Sequence, residues 1–212
     1  PRTTNNAFSG GNLRESSPQI MFPGPTLYDG LWLHMATLYI SNNLGSVNSN
    51  ARMETDGKYY FELTLEVVGG SVNDTRCGIR DSLLDPTPPG DPTPASNGNC
   101  MWTGAGTLVA DAGITTDSTA VSGYAVNDRI MIAVDVAAGK MWIGKNGTFF
   151  NSGSPAAGTN PQFTGIPAAN YCGWACITVN GTVQWAMYLP EDHSYAAPSG
   201  FNSGIPLTVP IT

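Results

Sequence analysis

The alternation of apolar and polar positions is clearest between Gly57 and Val68. Tyr59, Phe61, Leu63, Leu65 and Val67 fall on one side, and Tyr60, Glu62, Thr64, Glu66 and Val68 on the other. A period of two predicts a strand whose first set faces a core and whose second face is half polar. Arg129 to Val136 is apolar on both sides, as in a central strand with both faces covered. Leu31 to Ile40 is a nearly continuous apolar run that ends at Asn42-Asn43, and it reads as one or two buried strands, with a helix left open by periodicity alone. Arg76 to Leu84 adds a further strand after a Gly-Ser-Asn-Asp turn. Tyr171 to Leu189 reads as a hairpin with Val179-Asn180-Gly181-Thr182 at its tip. Strands recur about every 8 to 15 residues with no helical crossover pattern, which predicts an all-β, two-sheet antiparallel sandwich.

The stretch Gly139 to Gly153, GKMWIGKNGTFFNSG, reads as another hairpin with Asn146-Gly147 at the turn. Both residues of such a turn need positive φ, which Asn and Gly tolerate best. Trp142, two lysines and Phe149-Phe150 give its arms the look of a ligand-gripping element. Trp142 and Ile143 should nevertheless alternate faces on a central strand, with Lys140 and Lys145 in water, so the hairpin is expected to be scaffolding.

Composition narrows the surface. Only 12% of the 212 residues are charged, about half the usual share, while 25 Gly and 16 Pro suit many short turns. The net charge is −7 and the nine Lys and Arg are scattered, so no basic stripe exists for nucleic acid. No apolar run approaches the roughly 18 residues needed for membrane insertion. No positively charged start precedes an apolar segment, so no signal peptide is read, and the opening at Pro1 fits a processed product or part of a longer polypeptide. Residues 1–27 are polar and read as an arm or lead-in, with the sandwich expected over 28–212. Asp85 to Asn99, DPTPPGDPTPASNGN, excludes a paired central strand and reads as a long exposed loop.

Candidate chemistry is sparse. A glycosidase needs two carboxyl groups about 5–9.5 Å apart. Glu62 and Glu66, at i and i+4 on one strand, are about 13.5 Å apart. His34 and His193 have no partners at metal-ligand spacing, and Asp111 to Asp117 reads as a turn rather than a calcium loop. Ser199 lacks the flanking glycines of a nucleophile elbow. Asn73, Asn146 and Asn180 head Asn-x-Ser/Thr sequons that turn chemistry explains. Cys172 and Cys176 would share a strand face about 13 Å apart, beyond the roughly 7 Å reach of a disulfide. Cys77 and Cys100 bracket the proline-rich loop and could pair, although four buried thiols are the favoured reading. Of Trp102, Trp142, Trp174 and Trp185, Trp102 is the best candidate for an exposed platform, because it follows that loop at a sheet edge.

The order of these pieces resembles the SPRY domain family, a concanavalin-like β-sandwich. GKYYFELTLEV looks like the family's early Gly-Lys-Tyr-Tyr-Phe-Glu strand, and CGIRD sits where the family has Val-Gly-Val. GYAVNDRIMIAVDVAAGKMWIGKNGTFF is similar to its Gly-Asp-x-Ile-Gly-x-x-x-Asp … Phe-x-x-Asn-Gly segment, and YAAPSGF to its closing Pro-x-Gly-Phe. Together they cover roughly residues 30–205. Asn127-Asp128 replaces the usual Gly-Asp, and VQWAMYLPED stands where the family has Asn-Phe-Gly. Asp128, Asp135, Asn146 and Gly147 match the family and are assigned to fold and turns. Asn151 to Gly165 is closer to SPRY copies in bacteriophage structural proteins.

The resemblance implies a non-enzymatic binding or structural module of a bacteriophage virion, in a tail fibre, capsid fibre or decoration protein. Its partners would be other virion proteins or a host-surface protein or glycan, with homo-oligomerisation through the parent assembly. No cofactor and no metal are implied. The expected contacts are Asp85, Pro88, Asp91, Trp102, Tyr188, Glu191, His193 and Tyr195. The alternatives are a lectin-like module for host attachment and a peptide-binding SPRY adaptor.

Overall fold

The computed structural model describes residues 19–22, 35–40, 45–49, 53–81, 100–111, 113–168, 171–178, 183–188 and 190–204. Its strands form two sheets. The six-stranded sheet runs in the order β1 (Gln19–Phe22), β3 (Gly45–Ser49), β13 (Tyr171–Thr178), β5 (Thr75–Asp81), β6 (Cys100–Thr103) and β7 (Leu108–Ala110). The nine-stranded sheet runs β2 (Met35–Ile40), β14 (Val183–Tyr188), β4 (Lys58–Val68), β9 (Arg129–Asp135), β10 (Lys140–Lys145), β12 (Phe163–Thr164) and β8 (Thr115–Thr116). To these it adds β11 (Thr148–Phe149) beside β10 and β15 (Asn202–Ser203) beside β4. The two-sheet all-β sandwich is as the alternation predicts. Two of its pairings, β1 with β3 and β15 with β4, are parallel rather than antiparallel. The first of these places Gln19–Phe22, inside the polar N-terminal stretch, at the edge of the six-stranded sheet.

Between the sheets lies the main core. Tyr59, Phe61, Leu63 and Leu65 of β4 and Ile130, Ile132 and Val134 of β9 meet Cys77, Ile79, Cys100 and Trp102 from the opposing sheet. Cys77 and Cys100 are free thiols, and burial pushes both well above the usual thiol range, so they behave as small apolar side chains.

The outer face of the nine-stranded sheet is also covered. Tyr60, Met131, Ala133 and Trp142 form a second apolar cluster with Phe201, and Phe149, Tyr195 and Ala197 pack against it. The half-polar second face expected for β4 is therefore buried, with Tyr60 and Glu62 fully so. Trp142 and Ile143 do alternate between the two clusters.

Three local expectations need correction. Val67 is 47% exposed instead of facing the core. The β4–β14 register shifts between Gln184 and Trp185, and the extra residue of such a bulge reverses the strand's inside-outside phase. Val68 accordingly packs against the main core. Second, Tyr171–Leu189 is not a hairpin. β13 pairs with β5 and β3 in one sheet, whereas β14 pairs with β4 and β2 in the other. An Asn-Gly pair licenses a reversal but does not choose the partner. Here the consecutive strands β4 and β5 already lie in different sheets, and β13 and β14 follow them across. Third, Lys140 and Lys145 do not simply reach for water. Lys140 donates to the Gly158 carbonyl at 2.9 Å, and Lys145 to that of Gly123 while lying 3.5 Å from Asp128.

The Asn146-Gly147 turn is as expected, with φ of 51° and 88°. A Cβ on Gly147 would also fall 2.7 Å from the Tyr195 ring. Gly147→Val should therefore lower stability by more than about 2 kcal/mol, through strain at positive φ and displacement of Tyr195. An unchanged melting temperature in calorimetry would contradict this account.

Candidate functional site

Segment 190–204 is the cover of the outer face, and Glu62 holds it there. In β4, Glu62 follows the phase of Tyr60 and so points away from the main core, to a position with no solvent exposure. A buried carboxylate is tolerable only when its oxygens are fully bonded. The main-chain N–H groups of Ser194 and Tyr195 donate to Oε2 and Oε1, each at 2.9 Å. The Tyr60 hydroxyl donates to Oε1 at 2.7 Å, and Arg129 Nε lies 3.3 Å from Oε2. Burial, reinforced by this hydrogen bond to Glu62, pushes the Tyr60 phenol far above its ordinary value.

Arg129 extends the clasp. Its Nη2 donates to Ser194 Oγ at 2.7 Å, and its guanidinium carbon sits 3.3 Å from the centre of the Tyr188 ring. Stacking on an aromatic face suits a planar, weakly hydrated cation. His193 lies edge-on to Tyr60 with ring centres 5.3 Å apart, and its Nδ1 shares a 2.9 Å hydrogen bond with Ser203 Oγ. Burial holds the imidazole below its ordinary value. The charges of Glu62 and Glu191 and the Tyr188 main chain oppose that shift, and Arg129 adds to it.

The hairpin tip joins this region through Asp128. Arg129 N–H donates to Asn146 Oδ1 at 2.9 Å, while Asn146 Nδ2 donates to Asp128 Oδ1 at 2.7 Å. Asp128 Oδ2 accepts from Ala125 N–H at 2.8 Å. Burial alone would raise the Asp128 carboxyl, but these bonds and the Lys145 charge outweigh it and hold the group below the usual range. Asn127, where the resembling family has Gly, adopts φ of 69°, a conformation Asn reaches more readily than most residues. Asp135 serves the neighbouring turn, accepting from Ala138 N–H at 2.9 Å and pairing with Lys58 at 2.8 Å. All four family-matching residues thus have structural work.

A second stitched segment lies beside the hairpin. Gln162 is fully buried, accepts from Ile143 N–H and donates to the carbonyls of Phe150 and Asn160. Trp142 Nε1 donates to the Thr159 carbonyl at 2.8 Å. Segment 150–162 is thereby fastened to β10 by side chains that run between main-chain groups.

Of the expected contact residues, Tyr188, His193 and Tyr195 gather around the Glu62–Arg129 pair, with Glu191 exposed at its rim. Asp85, Pro88 and Asp91 lie outside the described residues. Trp102 requires correction: its side chain is fully buried, edge-on to Tyr124 and Phe150, with Nε1 donating to the Ser122 carbonyl at 3.1 Å. It lies one strand in from the sheet edge and facing the core, so it offers no platform. Trp142 and Trp185 are likewise fully buried.

Sequence reasoning missed Glu62 and Arg129 as the centre of this region. The available signal was a Glu between the aromatic positions Tyr60 and Phe61 and the strand's apolar continuation. Glu54-Thr55-Asp56 has the i, i+2 spacing of a carboxylate pair but lies exposed in the turn before β4, not on a strand. Among the described residues, no group of three or more His, Cys, Asp or Glu could hold a metal ion.

Among solved structures, the SPRY domain of human HERC1 is similar over 73% of this chain and 82% of that one, at 14% sequence identity and a TM-score of 0.45. No family model matches the chain, and no curated protein matches it. The sandwich assignment rests on the strand pairings themselves.

Two outcomes follow from the clasp. Glu62→Gln keeps the shape but sets an amide N–H₂ among donors and removes the charge opposite Arg129. It should cost about 3 kcal/mol in urea unfolding, with proteolysis between Pro190 and Gly204 appearing first. A variant with the wild-type midpoint and cleavage pattern would refute the clasp. Because the folded chain disfavours the His193 imidazolium, the unfolded chain binds more protons and stability falls as pH drops through about 6.5. His193→Gln should flatten that part of the stability–pH curve, and an identical curve would count against the assignment.

Proposed function

We propose that the chain is a non-enzymatic protein-contact module of a bacteriophage particle, and that it presents the rim formed by segment 190–204 and the Asn146-Gly147 hairpin. The observation that carries this reading is the main-chain anchoring of segment 190–204 on buried Glu62. A surface held in place before it meets its partner loses little conformational freedom on binding, which leaves more of the interaction energy as affinity. Tyr188 and Tyr195, partly buried at this rim, supply the aromatic, hydroxyl-tipped area favoured at protein contacts.

The particle assignment draws on a surface poor in charge and on the resemblance of Asn151 to Gly165 to SPRY copies in bacteriophage structural proteins. The stitched 150–162 segment is compatible with a durable structural part. A glycan-binding role loses its main motive, because Trp102, Trp142 and Trp185 are all inside the protein.

The test is to express the tagged full chain during particle production and separate particles from free protein on a density gradient. The chain is expected in the particle band. Ala196→Arg, which adds bulk and charge at an exposed point of the rim, should reduce that incorporation at least about tenfold, a loss of about 1.4 kcal/mol, without moving the melting temperature. Wild-type chain found only in the free fraction would overturn the particle assignment. Normal incorporation of Ala196→Arg would overturn the rim as the contact.

A further inference from the structure

Asn146-Gly147 carries chemistry that the turn role does not use. In an Asn-Gly pair, the glycine main-chain nitrogen can attack the asparagine side-chain carbonyl carbon. A bond forms between Gly147 N and Asn146 Cγ, and the Cγ–Nδ2 bond breaks. Nδ2 leaves as ammonia, taking the proton that Gly147 N gives up. Water then opens the resulting succinimide. Cleavage at Cγ gives an aspartate. Cleavage at the main-chain carbonyl gives an isoaspartate, in which the chain continues through the former side chain.

The folded hairpin engages every atom this reaction needs. Asn146 Oδ1 accepts from Arg129 N–H at 2.9 Å, and Nδ2 donates to Asp128 Oδ1 at 2.7 Å. The carboxamide is therefore fixed at both ends and cannot turn freely toward the next residue. The attacking atom is engaged too, since Gly147 N–H points at Met131 Sδ at 3.2 Å. Met131 belongs to the buried outer-face cluster, so that acceptor is held in place by packing in the folded protein.

The product fits the fold badly. An aspartate at 146 would replace the donor Nδ2 with a second carboxylate oxygen, 2.7 Å from Asp128 Oδ1 at the present geometry. Deamidation would remove one of the bonds that hold the Asp128 carboxyl low and set a second acid against it, which disfavours the paired geometry. An isoaspartate would lengthen the main chain inside a two-residue turn whose flanks are fixed by the register Lys145 to Thr148 and Gly144 to Phe149.

We propose that Asn146 is a folding-gated deamidation site: closed in the folded protein, open in the unfolded chain, and barring the modified chain from refolding. A molecule that stays unfolded long enough is then chemically marked and removed from the folding pool. Water is the only co-reactant, and no enzyme is required.

The experiment incubates the full chain at mildly alkaline pH, folded in buffer or unfolded in urea, and follows residue 146 by isomer-resolving peptide mass spectrometry. Conversion is expected to be at least about tenfold slower in the folded protein. That factor corresponds to an opening free energy of about 1.4 kcal/mol. Equal rates in the two states would overturn the gate. The urea-treated sample is then diluted to refold, and its folded and unfolded fractions are mapped separately. Converted chains should concentrate in the unfolded fraction, and their appearance in the folded fraction at the unconverted proportion would overturn the refolding bar. Asn146→Gly tolerates positive φ and has no side-chain amide, so it should refold after the same incubation with no loss attributable to residue 146. A refolding loss equal to that of the wild type would place the damage elsewhere and overturn the assignment. Asp128→Asn, which weakens the hold on Nδ2, should speed conversion in the folded protein, whereas an unchanged rate would show that these bonds are not the gate.

Discussion

A carboxylate removed from water has to be given its partners by the protein, and at Glu62 that requirement organises a whole side of the molecule. Two of the partners are main-chain N–H groups from a segment more than 130 positions away in sequence. A third is the hydroxyl of Tyr60, which belongs to the apolar cluster beneath that segment, and the fourth is Arg129 at the start of the neighbouring strand. Satisfying one acid therefore fixes where segment 190–204 lies, closes the outer apolar cluster and orients the guanidinium that stacks on Tyr188. The electrostatics and the packing support each other here. Without the cover the carboxylate would lose two donors, and without the carboxylate the cover would keep mainly its apolar contacts.

The same logic explains how the nine-stranded sheet, at β4, β9 and β10, is apolar on both faces and covered on both. Its inner face meets the second sheet, and its outer face meets a segment with little regular structure apart from β15 and a short 3-10 turn at Pro190–Asp192. Irregular backbone over an apolar surface needs partners for its polar groups. Glu62 supplies two of them, and Gly204 N–H bonds to the Tyr60 carbonyl at 2.7 Å, while the Ser203 hydroxyl bonds the His193 ring.

Much of the fold was legible from residue spacing because β4, β9 and β10 carry strong local signals. The two-residue period and the Asn146-Gly147 turn are properties of short stretches, and they survive in the structure apart from the change of phase at Val67. What escaped was non-local. Alternation showed that Tyr60 and Glu62 share a face, but it could not say whether water or a distant segment would cover that face. The Asn180-Gly181 pair announced a reversal, yet the sheet joined by β14 depended on where β4 and β5 had already gone. Trp102 was placed by its neighbourhood in sequence, next to a polar loop, whereas its fate was set by which way one residue of β6 points. Val67 failed for a similar reason, since one extra residue in β4, opposite Gln184 and Trp185 of β14, inverted its phase. The candidate site was half legible: its rim residues stood out, while the buried acid and base that assemble them did not.

Holding a segment by its main-chain hydrogens has a consequence for what that segment can become. Glu62 grips the peptide groups of Ser194 and Tyr195, and any residue except proline offers the same group. The anchor is therefore indifferent to most of the letters written at those positions. Exposed points such as Glu191, Ala196 and Ser199 can be re-lettered while the backbone path stays where it is. A scaffold built this way separates path from content: one deep acid in a strand keeps the shape of the segment, and the side chains exposed on it are free to drift.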